Sequence, residues 1–504
     1  MRTPSVTTPR TASPSRIARS ARSLVAIACG LTCLAAHAAT ITIQSRDAAG
    51  FGFNDPTPAA PVGGNPGTTL GEQRMNVYRH VADIWERNLD SDIEIVVSAG
   101  WEPLACTATS ATLGSAASWN IWHDFPNGKP GTWYPQALAN KLAGTNLSTG
   151  QPDDGTGYGN VDIKTQFNIN LGQPNCLAGS GFYLGLDGKA GDAVNFAATL
   201  LHELGHGLGF SVVSVQTSTG WRINAAGTAY SPTGLPSIWE GFMYDNTARK
   251  TWLDMTPNER RLSAINPLQL AWTGPKAVAG AAMLAQLPVV KSTSPAGTLP
   301  TVTYSASSFG PTLPATSKLG VLAVIATQPG ELGPGCSPFD AANTAAVRGK
   351  VPIISRGGCT FAEKVKNAQN AGAVAALLAN NVGGTFVPGG ADPTITIPSL
   401  GIQQTDGEQL KLAVIAARPY GSRTQPGAVT ASLARDPNRK AGADLAGRPL
   451  LYTPNPLIGG SSVSHWDVSA SPNLLMEPNI SDDLTLSVVP PKDLTLPLLK
   501  DLGW

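Results

Sequence analysis

The segment LHELGHGLGF at residues 201–210 constrains the fold more than any other part of the chain. Within it, His202 and His206 are four positions apart, so on a helix both imidazoles lie on one face, one turn apart. The apolar spacing around them predicts a helix over residues 192–209, with Asp192 as its N-cap. The residues of this apolar stripe are Ala197, Leu201, Leu204 and Leu208. The domain must therefore be built around a helix that presents two histidines.

The same spacing predicts a metal site. Two imidazoles one turn apart can both reach one tetrahedral Zn²⁺ ion, for which histidine nitrogen is a common ligand. Glu203 follows His202 directly, in the HExxH arrangement, where it can hold a metal-bound water and act as a general base. The chain has only six histidines in 504 residues, so this arrangement is rare by chance. We therefore expect one catalytic Zn²⁺ ion; the sequence does not indicate calcium.

A catalytic zinc site needs a third protein ligand and an open fourth position. In the pattern HExxHxxGxxH the third histidine would stand at position 212, which is a valine here. The candidates that remain are His465, Glu240 and Asp245. Two other histidines are expected to be ordinary core or surface residues: His80 and His123.

The residues around His465 resemble those of a known family. Ser464-His465-Trp466-Asp467 is followed by the segment LLMEP, which contains Met476. Together with the HELGHGLGF segment and a long insertion, these residues resemble the leishmanolysin-type metzincins, which are zinc metallopeptidases. The resemblance implies that His465 is the third ligand and that Met476 belongs to a methionine turn beneath the zinc. The gap of 258 residues after His206 is longer than is typical of metzincins, and no tyrosine follows Met476.

The elements predicted before and at the HExxH helix alternate between strands and helices. Strands are expected at residues 40–44, 92–98, 161–170 and 181–186, and helices at 71–89 and 134–142. This order predicts an α/β (α+β) layer. The resemblance implies that this layer is a metzincin-like catalytic domain with a mixed twisted sheet and an active-site helix. The strand at 161–170 is expected at the sheet edge, where an extended substrate can add by strand pairing.

A segment of different texture interrupts this domain. Residues 351–380 read VPIISRGGCTFAEKVKNAQNAGAVAALLAN and resemble the protease-associated (PA) domain, a small β-rich module. The resemblance implies a lid or a docking site for substrate or a partner protein, without catalytic residues. The alternative is an insert that stabilises the fold and binds no ligand. The predicted catalytic domain therefore comprises residues 39–290 and 431–504, with a polar linker at 431–455, and the PA insertion comprises residues 300–430.

Residues 1–38 are typical of a secretory signal peptide. Five arginines precede a short apolar stretch at 24–36, and Ala36-His37-Ala38 fits a cleavage site. That stretch is too short to span a bilayer, and we expect no membrane span elsewhere. The sequence thus predicts a secreted, extracellular or periplasmic protein.

Four cysteines follow the signal: Cys106, Cys176, Cys336 and Cys359. An even number in an exported chain predicts two disulfides. Sequence separation favours Cys106–Cys176 and Cys336–Cys359, although four cysteines allow three pairings.

These observations favour a secreted zinc endopeptidase that hydrolyses protein or peptide substrates, with Glu203 as the base for a zinc-activated water. A formal net charge of +1 disfavours nucleic acid as a partner. Two alternatives stay open. One is a catalytically inactive, zinc-containing binding module, and the other is a zinc amidase that acts on non-protein substrates.

Overall fold

A computed structural model of the chain describes residues 38–149, 160–384, 386–417, 427–481 and 483–504. The predicted signal peptide, apart from Ala38, lies outside the described residues. Among the described residues, no helix combines the length and apolar character needed to cross a membrane.

A four-stranded sheet supports the first part of the chain. Its strands are β1 (Ile41–Ser45), β2 (Ile95–Glu102), β3 (Gly114–Ser118) and β4 (Ile163–Asn168), in the order β1-β2-β4-β3. The first three in this order are parallel, whereas β3 pairs antiparallel with β4. The expectation that the strand at 161–170 forms the edge is therefore wrong, because β3 covers it. The residues of β3, Gly-Ser-Ala-Ala-Ser, are too small and uniform to show a strand pattern in the sequence.

Three helices accompany this sheet: α1 (Leu70–Glu86), α2 (Gln136–Ala143) and α3 (Phe196–Gly207). The helix α3 carries the HExxH segment and begins later than predicted. Its N-cap is Asn195, whose Oδ1 accepts a hydrogen bond from the backbone N–H of Ala198 (3.1 Å), whereas Asp192 is exposed. The later start follows from a two-residue strand, Val194–Asn195, because its pairing with Phe182–Tyr183 keeps the backbone extended.

Short elements fill the chain between α3 and residue 285. Two small antiparallel sheets lie here, together with α4 (Pro257–Ser263) and α5 (Pro275–Gly280). The strands of the first sheet are Val215–Gln216, Trp221–Ile223 and Tyr230–Ser231, and those of the second are Met243–Asp245, Lys250–Thr251 and Leu270–Trp272. Two further two-stranded pairs precede α3: Cys106–Thr107 with Ser110–Ala111, and Ile121–Trp122 with Tyr134–Pro135. Short 3-10 helices occur at Gly52–Asn54, Ile238–Phe242, Trp252–Asp254 and Ala281–Met283.

The middle of the chain forms a closed seven-stranded barrel. Its strands are β5 (Gln286–Ser294), β6 (Val302–Ala306), β7 (Lys318–Val324), β8 (Val351–Ser355), β9 (Ala376–Ala379), β10 (Ser399–Ile402) and β11 (Thr430–Lys440). They follow the order β5-β6-β10-β9-β8-β7-β11, and β11 pairs with β5 to close the barrel. The short strand Gly297–Thr298 pairs antiparallel with the end of β5. Three helices accompany these strands: α6 (Ala341–Val347), α7 (Phe361–Asn370) and α8 (Gln404–Ala416).

The barrel is wider in sequence than the predicted insertion at 300–430. It begins at Gln286 and ends at Lys440, and these two residues pair with each other. The start of the predicted linker at 431–455 is therefore wrong, since β11 occupies residues 430–440. The polar residues of β11 conceal it in the sequence, because a barrel strand buries only one face. Just beyond the barrel, the N–H of Ala441 donates to the carbonyl of Ala285 (2.9 Å), so the chain leaves and re-enters the first domain at one point.

The last 50 residues return to the first part of the chain and end in α9 (Thr495–Leu502). One apolar core includes buried residues from Ala39 to Leu284 and again from Leu451 to Trp504, whereas the barrel has separate apolar clusters. Each part has one disulfide, Cys106–Cys176 in the first and Cys336–Cys359 in the barrel. The two disulfides expected from the cysteine count are thus present.

Candidate metal centre

Three histidines from distant parts of the chain meet beside α3. The Nε2 atom of His206 lies 3.1 Å from the Nε2 atom of His202 and 3.1 Å from the Nε2 atom of His465. Within the described residues, these three form the one group of histidine, cysteine or acidic side chains whose ligand atoms are close enough to share a metal ion. We refer to them as the histidine trio.

The other ring nitrogen of each histidine is held by a backbone carbonyl. The Nδ1 atom of His202 contacts the carbonyl oxygen of Leu475 (2.7 Å), that of His206 contacts Phe210 (2.7 Å), and that of His465 contacts Ser461 (2.9 Å). A carbonyl oxygen can only accept, so each Nδ1 carries the proton. Each Nε2 then presents a lone pair toward the other two, an arrangement that a cation stabilises. The trio therefore fits a Zn²⁺ ion, which binds neutral imidazoles whose second nitrogen is hydrogen-bonded.

Burial keeps these imidazoles neutral. Desolvation lowers the pKa of His202 to about 4 and that of His465 to about 3. Desolvation, together with the neighbouring imidazoles, lowers the pKa of His206 well below its usual value. Near neutral pH the trio thus offers three uncharged donors, the form that binds metals.

The side chain of Glu203, on α3, reaches the edge strand β3. Desolvation raises its pKa to about 7, while a hydrogen bond from the backbone of Ala116 opposes that rise. The hydrogen bonds that link β3 to β4 include Asn168 N–H to Leu113 and Trp119 N–H to Asp162. In this antiparallel register, the backbone groups of every second residue, Ala116 included, face away from β4. The free edge of β3 therefore borders the carboxyl group of Glu203.

Met476 lies beneath the helix that carries His202 and His206. The side chain is fully buried, and a Cβ atom added at Gly205 would stand 2.8 Å from the Met476 sulfur. The backbone N–H of Trp466, directly after His465, donates to the Met476 carbonyl (2.8 Å). The turn that contains Met476 is thus attached both to α3 and to the segment of the third histidine.

The structure places the rival ligands elsewhere. The carboxylate of Glu240 is buried and accepts from Arg222 (2.8 Å), from Ser214 (2.9 Å) and from the backbone of Ser237 (3.0 Å). Asp245 accepts from two backbone N–H groups and from Ser263. Both act as structural carboxylates outside the trio. The two histidines expected to be ordinary also lie outside it: His80, on α1, and His123, which contacts Asp124 and the carbonyl of Ala225.

A cavity of about 1330 Å³ opens onto the trio and Glu203. Its walls are residues 111–116 with β3, the loop at 188–195, the turn at 459–461 and the segment 478–481 with Leu484. Besides the trio and Glu203, the ionisable side chains that line it are Lys189 and Asp192, and both are exposed. These walls were not predicted, because small residues and loops have no periodic pattern.

Each comparison with known proteins covers a small part of the chain. The family model of the PA domain matches residues 321–410. The probable lipoprotein aminopeptidase LpqL of Mycobacterium tuberculosis is 36% identical over 97 residues, which cover 18% of this chain and 19% of the relative. The PII-type proteinase of Lactococcus lactis subsp. cremoris is 36% identical over 111 residues, which cover 22% of this chain and 6% of the relative.

A similar solved structure is that of BSAP, a zinc aminopeptidase from Bacillus subtilis. It is 26% identical, the match covers 32% of this chain and 38% of that chain, and the TM-score is 0.20. The chain spans about a fifth or less of the length of the curated relatives described above.

These comparisons support one part of the expected resemblance. They give no support to a leishmanolysin-type metzincin, and the histidine trio lies outside the residues matched by the family model. Residues 321–410 belong to the barrel, whose strands run from β5 to β11. The chain therefore contains a PA domain, built as part of a closed barrel between the two segments that form the histidine trio.

Proposed function

We propose that this protein is a zinc-dependent peptidase whose metal ligands are His202, His206 and His465. The observation that carries the proposal is the convergence of three neutral imidazole Nε2 atoms beside a buried glutamate. A binding module needs no carboxylate at that position, whereas hydrolysis needs a base that takes a proton from the attacking water. The peptidase names of the relatives agree with this proposal, although their similarity covers a small part of each chain.

When bound, Zn²⁺ supplies a Lewis acid that polarises a substrate carbonyl and increases the acidity of a water. The Glu203 carboxylate takes a proton from the water while the water oxygen attacks the carbonyl carbon of the peptide. The same carboxyl group then gives that proton to the amine nitrogen as the C–N bond breaks. Burial raises the pKa of the Glu203 carboxyl to about 7, and the charge of a bound Zn²⁺ would lower it again, toward the range in which the carboxylate is ionised and can take the proton.

The edge strand β3 offers a place for an extended substrate. The backbone groups of Gly114 and the carbonyl of Ala116 face away from β4 toward the cavity, while the N–H of Ala116 donates to Glu203. A peptide that adds here forms main-chain hydrogen bonds that do not depend on its side chains. This placement sets a peptide, rather than a small amide, alongside the trio and Glu203.

We further propose that the enzyme is an endopeptidase. An aminopeptidase has to hold the substrate's charged amino group, and a carboxylate is the natural partner for it. Among the described residues that line the cavity, the carboxylates are Glu203 and Asp192, and Asp192 is exposed. An aminopeptidase is nevertheless the second candidate, because the names of LpqL and BSAP both state that activity.

The PA domain lies apart from this chemistry. Every described residue that lines the cavity precedes residue 212 or follows residue 458, so none belongs to the barrel. We propose that the barrel docks protein substrates or partners, and that its removal spares the hydrolysis of short peptides. We also propose that the protein is exported, a location that suits its two disulfides.

The decisive experiment uses one peptide in two forms, with a free or an acetylated amino terminus. Purified protein that begins after residue 38, called the mature protein below, is incubated with each form, with and without a zinc chelator. The products are identified by mass spectrometry. We expect internal cleavage of both forms at similar rates, and its loss with chelator. Removal of single residues from the free form alone would identify an aminopeptidase. Zinc-loaded protein that cleaves neither form would contradict the peptidase proposal and favour the binding module or the amidase.

A further inference from the structure

Leu475 links the metal helix to the last part of the chain. Its carbonyl oxygen accepts the hydrogen bond from the Nδ1 atom of His202, at 2.7 Å. This bond fixes the rotation of the His202 ring and so the direction of its Nε2 lone pair. The position of the Leu475 backbone therefore helps to decide where a metal ion can lie.

Asp493 holds that backbone from the other side. One of its carboxylate oxygens accepts from the N–H of Leu475 (2.7 Å), and the other accepts from the N–H of Thr495 (2.6 Å). The side chain is only 2% exposed. A single buried carboxylate thus joins the turn before Met476 to the first residue of α9.

The helix α9 is itself firmly anchored at its far end. The indole N–H of Trp504 donates to the carbonyl of Leu208 at the end of α3 (2.8 Å). The ammonium group of Lys141 donates to the carbonyl of Gly503 (2.6 Å), and Asp501 accepts from the backbone of α5. Asp493 therefore connects Leu475 to a helix that is attached to the same α3 that carries His202.

Met476, the residue after Leu475, is packed against α3 and α9. A Cβ atom added at Gly205 would lie 2.8 Å from the sulfur of Met476 and 3.7 Å from Cγ2 of Thr495. The Met476 carbonyl is held by the N–H of Trp466. Hydrogen bonds between Leu474 and Glu477 hold the residue before Leu475. Asp493 is the group that accepts from the N–H of Leu475 itself.

We propose that Asp493 is a positioning residue, which sets the orientation of His202 through the backbone of Leu475. The carboxylate touches neither the ligands nor the substrate, so it acts on the metal site only through this connection. The inference rests on the proposed metal site, but not on the kind of bond that the enzyme cleaves.

The test compares Asp493→Asn with Asp245→Asn in the mature protein with its barrel intact. Asp245 is a matched control, since it is also 2% exposed and also accepts from backbone N–H groups, but outside the trio. Three quantities are measured: Tm, the Zn²⁺ dissociation constant by competition with a chelator, and the visible absorption spectrum of the Co²⁺-loaded protein. We expect both variants to lower Tm. Only Asp493→Asn should also change the Co²⁺ spectrum and weaken Zn²⁺ binding, by about 10-fold, at the lower end of the range for outer-shell partners.

Equal Zn²⁺ affinities and unchanged Co²⁺ spectra in both variants would overturn the proposal and leave Asp493 a purely structural residue. Where Asp493→Asn does not fold, Asp493→Glu provides the same comparison, because it keeps the charge but displaces the oxygens by one methylene. Failure of both variants to fold would likewise assign Asp493 to folding rather than positioning. Wild-type protein that binds no Zn²⁺ would contradict the metal site itself, an outcome distinct from the others.

Discussion

The Nε2 atoms of His206 and His465 lie 3.1 Å apart, although the two residues are 259 positions apart in the sequence. The barrel accounts for most of that separation, yet its two ends meet where the Ala441 N–H bonds to the Ala285 carbonyl. The barrel can therefore be inserted into the chain at one point of the core without displacing either histidine. The geometry of the trio should depend on the core and not on the barrel.

Removal of the barrel tests this independence. If residues 286–440 are replaced by a short Gly/Ser linker, we expect the protein to fold, to bind one Zn²⁺ ion and to cleave short peptides. Circular dichroism, metal analysis and the peptide assay check each of these. A control deletion of residues 300–430 should give a less stable protein. It retains parts of β5 and β11, in which Val290 and Leu433 lose the barrel residues that bury them. Loss of zinc from the first variant while it stays folded would show that the barrel supports the site.

Glu203→Gln tests the proposed base. The amide keeps the shape of the side chain but cannot accept a proton, so zinc should remain bound while peptide hydrolysis falls roughly 10²–10⁴-fold. Glu259→Gln is a control for the loss of a glutamate charge, because Glu259 lies outside the cavity. Near wild-type activity of Glu203→Gln would remove Glu203 from the mechanism.

The disulfide between Cys106 and Cys176 braces a wall of the cavity, to which Leu177 contributes. The double variant Cys106→Ser/Cys176→Ser should lose about 2–4 kcal/mol of unfolding free energy, which denaturant titration measures. The pair Cys336→Ser/Cys359→Ser should leave zinc content and peptide cleavage unchanged, since its disulfide lies in the barrel. Wild-type mature protein, denatured without reductant, should show no free thiol; four titratable thiols would contradict both bonds.

Local patterns in the sequence predicted the elements that bury one regular face. The helix at 71–89 corresponds to α1, where Val77, Val81 and Trp85 are fully buried, and the strand at 92–98 overlaps β2. The HExxH helix is predictable because its metal-binding spacing and its apolar periodicity agree. The predicted start at Asp192 is wrong, because pairing of the strand at Val194 keeps the backbone extended up to Asn195.

Features that depend on distant contacts were harder to predict. The strand β3 has no hydrophobic alternation, so its place at the sheet edge becomes visible only through its pairing with β4. The strand β11 has many polar residues and so does not look like a strand. Its partner β5 lies more than a hundred residues earlier, so their pairing is not visible in the sequence. Glu240 looked available as a ligand, because the sequence does not reveal that Arg222 and Ser214 already occupy its carboxylate.

The most direct test of the account measures zinc in three single variants of the mature protein: His465→Ala, His80→Ala and Glu240→Gln. His80 controls for the loss of a histidine outside the trio, and the glutamine at position 240 retains an acceptor for the Ser214 hydroxyl. We predict one Zn²⁺ per chain in the wild type and in both controls. In His465→Ala the dissociation constant should rise at least as much as the roughly 10–100-fold that loss of an outer-shell partner causes. Full zinc affinity in His465→Ala, with loss of zinc in Glu240→Gln, would contradict the trio as the metal site.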